Sequence, residues 1–114
     1  MKTKAFLASL IVAAALLATA CPSRVNIGKI IANPSKYQDK EVVIAGRVSN
    51  SFGVPLVGGI YKIDDGTGSI WVVTNRGVPS KGAEVGLKGR VQEGVNYSGK
   101  SYGLGVIEDE RRVR

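Results

Sequence analysis

The chain contains no histidine and only one cysteine among its 114 residues. Without histidine there is no Ser-His-Asp or Cys-His catalytic arrangement and no His-bearing metal site. With one cysteine there is no intrachain disulfide and no Cys-only zinc or iron–sulfur centre from a single chain. Aromatic residues are scarce at 6%, with a single tryptophan. No pair of ionisable groups is placed by the sequence for acid/base work, so the chain is expected to be non-enzymatic and to carry no cofactor. What it has in excess is glycine, at 15 positions, and positive charge, with 16 Lys and Arg against nine acidic residues and a formal net charge of +7.

The composition is that of two unlike pieces. Met1-Lys2-Thr3-Lys4 precedes an apolar run from Ala5 to Ala20 that only Ser9 and Thr19 interrupt. A short basic start, an apolar stretch and a small-residue end describe an export signal over residues 1–20. The run is shorter than the roughly 20 residues of a permanent membrane span. All glycines and all acidic residues follow it, leaving Cys21–Arg114 with fourteen positive and nine negative side chains, a net of +5. Glycine at about twice its usual ~7% in that piece suits a small, tightly curved, turn-rich β domain.

Two readings of the junction cut the same bond. Ala18-x-Ala20 suits ordinary signal peptidase. Leu17-Ala18-Thr19-Ala20-Cys21 resembles the bacterial lipobox, which implies that Cys21 becomes the first mature residue and is acylated on sulfur. Acyl-chain burial at ~0.8 kcal/mol per CH2 then supplies the membrane anchor. The alternative is an unpaired thiol in an exported protein, open to stray pairing. A lone cysteine placed directly after a signal-like cut favours lipidation. Pro22 supplies no acidic retention signal, which favours the outer membrane in a two-membrane bacterium. The expected location is therefore the periplasm or cell surface.

Residues 21–40 read as a lead-in. Asn26 is a candidate N-cap for a short helix through Ile27-Gly28-Lys29-Ile30-Ile31-Ala32, which Asn33-Pro34 stops. Ile27, Ile30 or Ile31, and Tyr37 are expected on the core. The period then changes to two. Glu41–Ser49 places Val42, Ile44, Gly46 and Val48 on one face. Asn50–Gly59 reads as a loop, and Ile60–Asp64 as a short strand with Tyr61 and Ile63 inward. Asp65-Gly66-Thr67-Gly68 forms a tight turn. Ser69–Thr74 turns Ile70 and Val72 inward and Trp71 and Val73 outward. After a loop at Asn75–Gly82, Ala83–Gln92 alternates again. Glu93–Gly99 reads as a loop, and Lys100–Ile107 as a fifth strand with Tyr102, Leu104 and Val106 inward. Residues 108–114 read as a charged, fraying tail.

Five strands with internal glycines, Gly46 bending the first so that it pairs with two neighbours, point to a closed all-β barrel over residues 41–107. At this level the residues resemble a family. Lys40-x-Val42-x-Ile44-x-Gly46-x-Val48, Tyr61-Lys62-Ile63-Asp64-Asp65-Gly66-Thr67-Gly68-Ser69-Ile70 and Val85-x-Leu87-x-Gly89-x-Val91 look like the OB-fold of the tRNA-anticodon and single-strand nucleic-acid-binding type. The lead-in Ile27-x-x-Ile30-x-x-Asn33-Pro34-x-x-Tyr37 is similar to segments before OB domains of small exported bacterial proteins. The resemblance implies a five-stranded OB barrel preceded by a short helical segment. It also implies a binding face on strands two and three, bordered by the loops joining strands one to two and four to five.

Carried over by position, the outward residues of that face are Arg47, Lys62, Trp71 and Val73, with Asn96, Tyr97 and Lys100 on the second bordering loop. The face is expected to carry one clear aromatic, Trp71, which either stacks a base or covers the barrel end. Heme-carrying periplasmic OB proteins attach heme through histidine, which this chain lacks. Asp64-Asp65 read as turn formers rather than a cation site, which needs six or more oxygens. Two functions remain. One is an exported, lipid-anchored adaptor contacting an envelope protein or cell-wall polymer. The other is binding of single-stranded nucleic acid or another polyanion.

Overall fold

The computed structural model describes residues 24–54 and 57–113. The predicted export signal and Cys21 lie outside the described residues. Helices α1 (Ile27–Ala32) and α2 (Pro34–Tyr37) precede strands β1 (Glu41–Val54), β2 (Gly58–Asp64), β3 (Ser69–Thr74), β4 (Glu84–Tyr97) and β5 (Lys100–Val113). The strands close into a barrel in the order β1-β2-β3-β5-β4. All pairs are antiparallel except β3 with β5. This is the expected all-β barrel of the OB type with short helices before it.

β1 serves two neighbours, as its glycine suggested. Glu41–Arg47 pairs with β4 and Arg47–Val54 with β2. At the handover a Cβ on Gly46 would lie 2.7 Å from the Asp64 carbonyl oxygen, so only glycine permits the approach. The period-two residues fill the barrel: Val42, Ile44, Val48, Tyr61, Ile63, Ile70, Val72, Val85, Leu87, Val91 and Val106 are buried together with Ile27 and Ile30 of α1. Burying each such isoleucine stabilises by about 1.5–3 kcal/mol, which holds a helix too short to persist alone. Ile30 rather than Ile31 faces inward, and Tyr37 packs against the core edge.

The helix is capped from a distance. Asn26 makes no side-chain capping bond, contrary to its predicted role. The Ile27 N–H instead donates to Asp65 Oδ2 at 2.9 Å, and the Gly28 N–H to Thr67 Oγ1 at 3.0 Å. A Cβ on Gly28 would lie 2.7 Å from the Thr67 carbonyl. The Asp-Gly-Thr-Gly turn is thus the seat of α1, and the Asp65 carboxylate is engaged there. Asp65 also accepts from the Thr67 amide, while Asp64 accepts from the Gly66 amide and the Ser69 hydroxyl. Burial pushes the Asp65 carboxyl up, but the hydrogen bonds from Thr67, Ile27 and Gly68 outweigh it and hold it below its ordinary value.

The strands outrun their sequence signals. β1 continues to Val54 through a segment predicted as loop, and β4 continues through the predicted loop Glu93–Gly99 to a two-residue turn at Ser98-Gly99, where both φ angles are positive. Register shifts after Val48, Lys88 and Gln92 break the alternation that would have marked these extensions.

The largest departure is the predicted tail. β5 runs to Val113, and Glu108 and Arg111 are structural members of the barrel. The Glu108 side chain is 1% exposed and Arg111 13%. Glu108 accepts from the Tyr61 hydroxyl, from Thr74 Oγ1 at 2.6 Å and from Arg111 Nη1 at 3.3 Å. Arg111 also donates to the Gly77 carbonyl at 2.6 Å and lies 5.6 Å from the Tyr61 ring centroid. Burial, then the Glu108 carboxylate, drives the Tyr61 pKa well above its ordinary value. A buried carboxylate is tolerable only with this complement of donors.

Candidate ligand-binding face

The outer face of β2 and β3 is built on cross-strand pairs. Lys62 stands opposite Trp71, and Trp71 opposite Gly105 of β5. Gly105 has no side chain, and Val95 of β4 fills the place that one would take. A positive φ of 75° at Gly103 then interrupts the alternation of β5. Tyr102, predicted inward, instead sits against the indole with ring centroids 5.0 Å apart and planes at 60°. On the other side Phe52 of β1 approaches Trp71 at 6.3 Å and 33°. Phe52 is 54% exposed, and Trp71 and Tyr102 are half-buried.

The face therefore carries a row of three aromatic rings rather than one. Two ammonium groups flank it: Lys62 Nζ lies 5.5 Å from the Trp71 centroid and Lys100 Nζ 5.2 Å from that of Tyr102. Phe52 and Tyr102 were missed for local reasons. Phe52 lies in a stretch whose glycines and serines read as loop, and Tyr102 lies beyond a bulge that reverses its side.

A second, smaller apolar layer adjoins the row, beginning at Ile60, which stands opposite Phe52. Ile60 and Val95 are buried yet stand apart from the barrel core. Val95 is pressed on Gly105, where an added Cβ would come within 2.6 Å of Val95 Cγ2. Val73, half-buried, lies opposite Ile60 at the edge of this layer.

The other predicted residues are more scattered. Asn96 and Tyr97 stand at the end of the β4–β5 hairpin, opposite Ser101 and Lys100. Among the described residues, Tyr97 makes no ring contact with the row. Arg47 is turned away: it pairs with Glu84 at 3.3 Å across β1 and β4 and lines a different groove. The structure brings together Lys62, Trp71 and Lys100, adds Phe52 and Tyr102, and leaves Arg47 on the far side of the β1 bend.

A surface of this kind can hold flat rings on the aromatic row while the two ammonium groups meet negative charge beside them.

No protein-family model and no curated protein matches the chain. Solved structures do. Asparaginyl-tRNA synthetase from Pyrococcus horikoshii, in complex with asparaginyl-adenylate, superposes with a TM-score of 0.62 at 20% identity, over 80% of this chain and 22% of that one. The chain thus spans about a fifth of that synthetase. The OBody AM3L09, in a structure described as bound to hen egg-white lysozyme, superposes with a TM-score of 0.57 at 21% identity, over 82% of this chain and 96% of that one. At these identities the likeness is one of fold. Together with the closed five-stranded barrel it defines the chain as an OB-fold protein.

Proposed function

We propose that this chain is a non-enzymatic binding module whose β2–β3 face holds single-stranded nucleic acid, or a polyanion of similar build, and that it works at the bacterial envelope, tethered through acyl chains on Cys21. The observation that carries the ligand class is the row Phe52–Trp71–Tyr102 with Lys62 and Lys100 over its rings. Bases stack on any exposed π-face whatever their sequence, at about 1–3 kcal/mol each, and the phosphates between them seek ammonium groups. The tether rests on the sequence alone, on the lone cysteine placed directly after a signal-like cut.

The test is titration of the chain against a fluorescent oligonucleotide at two salt concentrations, with Trp71→Ala beside it. Salt-sensitive binding that the substitution weakens supports the ligand class. Binding that ignores both salt and the indole rejects it.

A second reading has its own observation. Val54, two residues beyond Phe52 on β1 and 55% exposed, extends the row toward the end of the β1–β2 hairpin. Aliphatic surface continuing an aromatic face suits an envelope protein partner. In that case a protein, captured from envelope extract by the lipidated form, competes with the oligonucleotide.

A further inference from the structure

Away from the aromatic row, a groove of about 550 Å³ crosses the outer surface of β1, β4 and β5 and shares no lining residue with that row. Its walls carry three arginines from three separate segments: Arg24 before α1, Arg47 on β1 and Arg112 on β5. Its floor is made of small residues, Ala45 opposite Gly86 and Gly86 opposite Arg112.

Three acidic residues also line the groove, but each is already engaged. Asp64 accepts from Gly66 and Ser69, Asp65 from Ile27 and Thr67, and Glu84 from Arg47. Among the described residues, Arg24 and Arg112 have no carboxylate within 4.0 Å. Two guanidinium groups with no carboxylate partner among the described residues, lining a groove floored by glycine, suit a tetrahedral oxyanion. Each can offer a fork of N–H donors to phosphate oxygens.

Place narrows the source of that phosphate. Arg24 is fixed to the barrel through its bridge to Val43 and the Val25 N–H bond to the Val43 carbonyl at 2.9 Å. Cys21 stands three residues earlier in the sequence, and three residues span no more than about 11 Å. Whatever holds Cys21 therefore lies close to this groove.

We infer that the groove between Arg24 and Arg112 over Gly86 binds the phosphate of an anionic phospholipid headgroup. The choice of a lipid source rests on the proposed tether at Cys21. The bound headgroup sets the β1–β4–β5 surface against the bilayer and leaves the aromatic row free for its ligand.

Gly86 supplies a clean block. It does not have a positive φ, and an added Cβ would meet nothing within 4 Å, so Gly86→Leu fills the groove without disturbing the strand. Full-length Cys21→Ser chain, unable to be acylated, is mixed with phosphatidylcholine vesicles with and without phosphatidylglycerol. The N-terminal segment, with Lys2 and Lys4, adds its own share of any gain from phosphatidylglycerol and adds it equally to every variant. Phosphatidylglycerol is expected to raise binding, by about fivefold for each arginine engaged. Gly86→Leu and the pair Arg24→Gln/Arg112→Gln are expected to lose the share of that gain due to Arg24 and Arg112, with the thermal midpoint of Gly86→Leu unchanged.

Retention of the full gain in Gly86→Leu overturns the site. Saturation by glycerol phosphate in solution, with no gain from phosphatidylglycerol, overturns the lipid source. A fall in oligonucleotide binding that parallels the fall in vesicle binding assigns the groove to nucleic acid and overturns it too. The tether is tested separately, by acyl labelling of parent and Cys21→Ser chains, so its failure is distinguishable from failure of the groove.

Discussion

Substitution of Arg111 by methionine tests whether the charged C-terminal segment is part of the barrel. Methionine keeps much of the volume and removes the guanidinium. Glu108, 1% exposed, then retains only the Tyr61 and Thr74 hydroxyls as donors. Removing one member of a buried ion pair costs about 3–5 kcal/mol, because the remaining charge is left uncompensated. That is a large share of the roughly 5–15 kcal/mol of a small domain, and it should lower Tm by well over about 10 °C. Urea unfolding followed by Trp71 fluorescence reads the loss as a fall in midpoint at constant slope. The adjacent Arg112, whose side chain stands outside the barrel, serves as the control: Arg112→Met should stay within about 0.5 kcal/mol. Combining Glu108→Gln with Arg111→Met should recover part of the loss, since no buried charge then remains. If Arg111→Met and Arg112→Met are equally mild, the buried pair contributes nothing and the reasoning fails.

Three further expectations concern the same scaffold. Tyr61 has its folded pKa raised above the unfolded value near 10, so its contribution is complete below that pH and is lost as pH rises beyond it. Alkaline unfolding should therefore steepen above pH ~10 by about 1.4 kcal/mol per pH unit, a slope that Tyr61→Phe removes. Asp65 is shifted the other way, so its contribution is present above the unfolded value near ~3.9 and fades as pH falls through the lower folded value. Asp65→Ala should cost about 0.5–2 kcal/mol, as loss of a helix cap does, and should expose the amide of Ile27 to hydrogen exchange. Gly46→Val, forced to within 2.7 Å of the Asp64 carbonyl, should open the junction of β1, β2 and β4, seen as lost protection along all three strands.

Much of the barrel was legible because its core obeys a strict period of two. Val42-Ile44-Val48, Tyr61-Ile63 and Ile70-Val72 announce their faces in one dimension, and the Asp-Gly turn fixes the hairpin between them. What escaped were features decided across the chain. The seat of α1 lies 38 residues away in Asp65, so Asn26, the local candidate, was the wrong one. Glu108 and Arg111 read as solvated because nothing nearby in sequence says that Tyr61 and Thr74 wait inside to receive a carboxylate. The candidate site divides in the same way. Lys62 and Trp71 follow from alternation on a short regular hairpin. Tyr102 requires knowing that Gly103 takes a positive φ, and Phe52 that β1 continues through a glycine- and serine-rich stretch. Arg47 was misassigned because its strand changes partner at that residue, carrying it to Glu84 and the other groove.

The most direct test of the aromatic row uses its own fluorophore, since Trp71 is the only tryptophan in the chain. An unlabelled single-stranded oligonucleotide is titrated while indole emission is followed at several salt concentrations. Stacking is expected to quench the emission saturably. Two phosphates at Lys62 and Lys100 should give a log–log salt slope of about −1.4. Tyr102→Ala should weaken binding by about 1–3 kcal/mol, and Arg47→Ala should leave it unchanged. An emission that does not respond to the oligonucleotide, or a response equally sensitive to Arg47 and Tyr102, would contradict the assignment of this face.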